Sequence, residues 1–70
     1  MAGNIKRLQD RAAAIASRMS ELASIEERSE DQNDEIGRLS NEADKVKTDL
    51  EFEERLAAKE AELRSVVEKA

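Results

Sequence analysis

The sequence predicts an all-α fold: an antiparallel, coiled-coil-like helical hairpin whose second helix is longer than its first. Three observations point there. Apolar residues at Ile5, Leu8, Ala12, Ile15, Met19 and Leu22 step alternately by three and four, the spacing that keeps side chains on one stripe of an α-helix. A second series, Ile36, Leu39, Ala43, Val46 and Leu50, repeats that step. Between them Glu26-Glu27-Arg28-Ser29-Glu30-Asp31 is polar throughout, and the helical positions that continue the seam fall on Glu26, Ser29 and Asn33. Three polar residues in succession leave nothing to pack, so the chain is expected to reverse there instead of running on as one rod.

Composition agrees with helix and limits function. Of 70 residues 41% are charged and 1% aromatic, with no Pro, Cys, His, Trp or Tyr. With heptads present, such a composition signifies long helices or coiled coils; without them it would signify disorder. Fully burying a Leu or Ile contributes about 1.5–3 kcal/mol, whereas ordering a residue's backbone costs about 1–2 kcal/mol. One apolar stripe per helix is therefore a thin core, and a partner or further copies of the chain are expected to complete it.

In chain order, residues 1–4 read as a frayed N-terminus with Asn4 as helix cap. Helix one is expected over 5–26. Lys6 and Arg7 at its start and Glu26 and Glu27 at its end all oppose the helix dipole, so compensating charge is expected from outside that helix. The turn is placed at 27–31. There Ser29 and Gln32 have the spacing of a capping box, each side chain reaching the other's backbone N–H. Glu30, Asp31, Asp34 and Glu35 then put anions where the dipole prefers them.

Helix two is expected over 32–68. Head-to-tail pairing of the stripes gives the layers Leu22/Ile36, Met19/Leu39, Ile15/Ala43, Ala12/Val46 and Leu8/Leu50, large against small in the middle. On one flank this register sets Arg18 against Glu42 and Arg11 against Asp49, opposite charges that select orientation more than they stabilise. The other flank carries Ala16, Ala23 and Ser40. Small residues there either admit a third helix closely or simply favour helix. Gly37 falls on the outer face, at a cost of about 1 kcal/mol relative to Ala.

Near residues 50–52 the register shifts. The seam would continue at Glu53 and Ala57, but the apolar residues are Phe52, Leu56, Leu63 and Val66, with Lys59 among them. One residue is about 100° around the axis, so this stripe is read as a face for another surface. Glu51–Arg55 and Glu60–Arg64 have the favourable i,i+4 order along the extension.

Several function classes are excluded on chemistry. Without His or Cys there is no usual general base, thiol nucleophile or soft metal ligand. The acidic run from Glu30 to Glu35 lacks the alternating ligands and central Gly of a calcium loop. No catalytic, cofactor-binding or metal-ligating residue is assigned, and an enzyme is not expected. The net charge of −5 is uneven: residues 1–28 carry five cations and four anions, and the rest carry seven and thirteen. An acidic chain without a basic stripe is not a nucleic-acid binder. No apolar run reaches the length of a membrane span, no signal-peptide core is present, and a cytoplasmic location is expected.

The order of segments carries a resemblance. A basic amphipathic helix, Ile5-Lys6-Arg7-Leu8 through Met19-Ser20-Glu21-Leu22, leads to the capped turn Arg28-Ser29-Glu30-Asp31-Gln32. An acidic helix follows with Ile36-Gly37-Arg38-Leu39, Glu42-Ala43, Val46 and Leu50, then Glu53-Glu54-Arg55-Leu56-Ala57. Over residues 5–58 this resembles the N-terminal delta domain of tailed-phage major capsid proteins of the Hong Kong ninety-seven type. In that family the turn usually reads Leu-Thr before acidic residues, with an aromatic soon after; here Ser29 takes the capping place and Ile36 stands near the aromatic one. The resemblance implies a built-in scaffold that clusters capsid subunits in the host cytoplasm as a procapsid forms. It also implies a shell domain and a prohead protease as partners, and removal of the segment from the procapsid interior before DNA enters. The competing expectation is a cytosolic coiled-coil adaptor or chaperone-like hairpin.

Overall fold

The computed structural model describes residues 2–69. Those residues form two α-helices, α1 (Ala2–Ala23) and α2 (Glu30–Lys69), which pack against each other as a hairpin. The molecule measures 63 × 15 × 14 Å. At about 1.5 Å per residue the 40 residues of α2 account for the long dimension, and the 22 residues of α1 cover roughly half of it.

Both ends of α1 lie three residues earlier than the sequence indicates. Ala2, Gly3 and Asn4 are helical, so the frayed segment expected at 1–4 is not observed over them; Met1 lies outside the described residues. Asn4 is therefore no N-cap. Its Oδ1 accepts instead from Arg7 Nη2 at 3.3 Å, and the half-buried Ile5 and Leu8 hold the first turns against α2. At the other end the helix stops at Ala23 and not at 26. Ser24 N–H is shared between the carbonyls of Ser20 and Glu21 at 3.2 and 3.3 Å. Its hydroxyl donates to the Glu21 carbonyl at 2.7 Å, while Ile25 N–H closes a tighter bond to Leu22 at 3.2 Å. A side chain competing for its own helix's carbonyls ends the repeat.

The turn then spans 24–29, not 27–31, and Arg28 holds it. Its Nη1 donates to the carbonyls of Leu22 and Ile25 at 3.3 and 3.2 Å, and its Nε to Asn33 Oδ1 at 3.0 Å. A cation thus sits on the last carbonyls of α1 and ties them to the first turn of α2. This supplies the charge that the acidic end of helix one lacks. α2 begins at Glu30, two residues earlier than expected, directly after Ser29. Ser29 N–H donates to Gln32 Oε1 at 2.9 Å and Gln32 N–H donates to Ser29 Oγ at 3.2 Å.

Gly37 lies inside α2, and a Cβ built there meets nothing within 4 Å. Gly37→Ala is therefore expected to stabilise the hairpin by about 1 kcal/mol through backbone entropy alone. In a chain of this size that raises the thermal midpoint by about 4–8 °C; a lower midpoint would contradict the open surroundings.

Candidate functional site

Every seam residue is buried or half-buried. Leu22 is 0% exposed, Ile15 3% and Val46 7%, and these three form the buried core. Ile5, Leu8, Ala12 and Met19 of α1 are half-buried, as are Ile36, Leu39, Ala43 and Leu50 of α2. The small residues do not close the middle layers, however. Ala12, Ile15, Ala16 and Met19 with Ala43, Val46, Lys47 and Leu50 line an open groove of about 280 Å³. Alanine is too short to fill the space between helices that Ile15 and Val46 hold apart, so the apolar flank of Ala16 stays accessible.

The opposite flank is charged, and its pairing differs from the expected one. Arg18 pairs with Glu35, not Glu42: Nε and Nη2 donate to the two carboxylate oxygens at 2.7 and 3.0 Å. Arg11 pairs with Glu42, not Asp49, with Nε donating to Oε2 at 2.8 Å and Nη2 reaching the same carboxylate. Each Arg has moved one heptad toward the turn. Two causes act together. Glu21, one turn ahead on α1, also accepts from Arg18 Nη1 at 3.0 Å and draws that guanidinium turnward. Asp49 is one methylene shorter than Glu42 and reaches less far toward Arg11.

The planar, two-bonded geometry favours the charged forms of both partners. Donation to Glu35 and Glu21 holds the Arg18 proton more tightly than usual, and donation to the Glu42 carboxylate does the same for Arg11. The Glu35 carboxyl lies below its ordinary value of about 4.5, chiefly through the Arg18 hydrogen bond. Because the folded form resists protonation, this contribution is present above the ordinary glutamate value and is lost as pH falls through the lower folded value. The thermal midpoint is expected to drop as acid is added below about pH 4.5, and Glu35→Gln to flatten that part of the profile. An unchanged profile in the variant would show that the pair does not couple to folding.

Beyond Leu50 the covered face does not rotate. Glu53 and Ala57 are half-buried, so α2 keeps the same side toward α1 despite their polarity and size. Phe52, Leu56, Leu63 and Val66 are exposed, Phe52 at 58% and Val66 at 62%, and Val67 joins them. Lys59 is exposed and pairs with Glu62 at 3.2 Å; among the described residues neither Glu51–Arg55 nor Glu60–Arg64 forms an ion pair. Three parts therefore distinguish the surface: an apolar groove on one flank of the hairpin, an ion-paired flank opposite, and an apolar stripe along the free half of α2.

The chain matches no family model, no curated protein and no solved structure. Chemistry and membrane geometry add two statements. Among the described residues no group of three or more acidic, His or Cys side chains could hold a metal ion. None of the described helices is long and apolar enough to cross a membrane.

Sequence reasoning gave Glu35 only as a helix-start anion and assigned no role to Arg28 or Lys47. For Arg28 the signal was available: a lone cation just after a helix end carrying two glutamates. For Glu35 it was the seven-residue recurrence Glu35, Glu42, Asp49, which offers each Arg two acceptors.

Proposed function

We propose that this chain is a non-catalytic assembly module that contacts other copies of itself, in the manner of the built-in scaffolding segment of tailed-phage capsid proteins. One observation carries the reading: α2 outruns α1 and leaves Phe52, Leu56, Leu63 and Val66 uncovered on one side of a continuous helix. Apolar side chains in series on an otherwise charged helix mark an interaction face. Each contact is small, and small contacts gain strength when many copies are held together. A shell domain in the same polypeptide would supply that concentration, and cleavage by a prohead protease would end it. The acidic character of α2 suits a scaffold that shares its space with a capsid about to receive nucleic acid.

Sedimentation equilibrium over a wide concentration range tests the reading. The weight-average mass is expected to rise above the 7.8 kDa of one chain as concentration increases. A mass that stays at one chain throughout overturns it.

A further inference from the structure

The reversal between α1 and α2 is held by side chains and not by the backbone. Residues 24–29 contain neither Gly nor Pro, and no described residue has a positive φ, so no covalent feature keeps this segment from continuing the helix. What closes the turn is Arg28, bonded to the Leu22 and Ile25 carbonyls and to Asn33 Oδ1, together with the Ser24 hydroxyl on the Glu21 carbonyl. The seam also keeps its phase across the turn. Leu22 and Ile36 are two whole heptads apart, so a straightened chain carries both apolar series on one stripe.

We infer that the turn is a hinge through which two copies exchange α1, each chain straightening into one helix that lies antiparallel to the other. This rests on the assembly reading above for its partner, a second copy, and takes its contacts from the seam, not from the exposed stripe. Tertiary contact among the described residues is that of α1 with α2, and every such contact can be made by the α1 of a second copy. Ile15, Leu22 and Val46 keep their burial in the exchanged pair, and Arg11 and Arg18 find the same acceptors, Glu42 and Glu35, on the other chain. A two-fold axis across the hinge closes the pair as a dimer, which is how exchange of an identical element joins copies at low cost. Each chain gives up the Arg28 bonds and gains helical bonds through residues 24–29. Against the exchange, the straightened middle puts Glu26, Ser29 and Asn33 on the stripe and brings together Glu26, Glu27, Glu30 and Asp31 of two copies. That repulsion and the freedom lost on association make the hairpin the form of dilute chains and the exchanged dimer the form of concentrated ones. Added salt screens the acidic middle and favours the dimer.

The test uses the full chain with spin labels at the exposed positions Gln9 and Glu51, and sedimentation of the same samples. Chains carrying both labels, diluted into an excess of unlabelled chain, report the distance within one molecule: ~20 Å in the hairpin and ~60 Å in a straightened helix. A mixture of chains labelled once, at Gln9 or at Glu51, reports the converse, and the ~20 Å distance is expected in its dimer fraction. Arg28→Ala is expected to strengthen dimerisation at least about tenfold, since each dimer opens two turns and the variant has no such bonds to lose. Ser24→Ala acts in the same direction and serves if Arg28→Ala melts as an unfolded chain. Two glycines inserted between Glu26 and Glu27 interrupt the straight helix and are expected to weaken the dimer at least about tenfold. Oligomers in which the doubly labelled chain keeps its ~20 Å distance, or a folded Arg28→Ala chain that dimerises no more tightly than the native one, overturn the inference and leave the assembly reading standing. A native chain that is monomeric throughout removes both.

Discussion

Leu22→Ala is expected to lower the unfolding free energy by about 2–5 kcal/mol, the cost of lost burial plus the cavity left behind. Leu22 is the only side chain among the described residues that is large and fully buried. It also lies in the last turn of α1, where its own carbonyl accepts from Arg28. A chain this small has a total stability of similar size, so the variant should be largely unfolded at room temperature. Circular dichroism at 222 nm against urea reads it directly. An unfolding free energy within about 0.5 kcal/mol of the native one, the range of ordinary surface changes, would mean that the seam does not hold the helices together.

Val46→Asp should be as damaging by a different route. Val46 is the buried residue of α2, and it lines the groove with the apolar Ile15, Met19 and Leu50. A carboxylate there loses its hydration without a compensating partner, a cost of several kcal/mol. Freed from α2, the 22 residues of α1 are marginal as an isolated helix. Spin labels at the exposed positions Gln9 and Glu51 separate the outcomes. In the native hairpin they should lie within about two helix diameters, ~20 Å, and in the variant the distribution should broaden and lengthen. A narrow, short distance in the variant would show that α1 stays docked without Val46.

The hairpin was legible because its signals are local and redundant. The three-four stepping from Ile5 to Leu22 and from Ile36 to Leu50 leaves one face for each helix, and Ser29 with Gln32 marks where the second begins. What escaped depended on competition between near-equivalent partners or on the other helix. Glu35, Glu42 and Asp49 share one face of α2, and side-chain reach together with Glu21 decides which of them each Arg takes. Phe52, Leu56, Leu63 and Val66, read from the sequence as a face for another surface, are exposed, whereas the half-burial of Glu53 and Ala57 does not follow from their polarity and size. Coverage follows the position of the neighbouring helix, and composition reports only which residues would prefer it. The ends of α1 differ from the expected ones because Ser24 and Arg28 together fix one of them and the half-buried Ile5 and Leu8 the other.

The unbroken run of α2 from Glu30 to Lys69 has a consequence for evolution. With one shaft carrying both the half that clasps α1 and the half that bears Phe52 to Val66, the bearing of one relative to the other is set by counting residues. Adding or losing a single residue between Ala57 and Leu63 swings the distal face by about 100°, while a change of seven restores it to within about 20°. Length variation in this stretch should therefore be tolerated in whole heptads and rejected otherwise, much as a camshaft tolerates being lengthened but not being twisted.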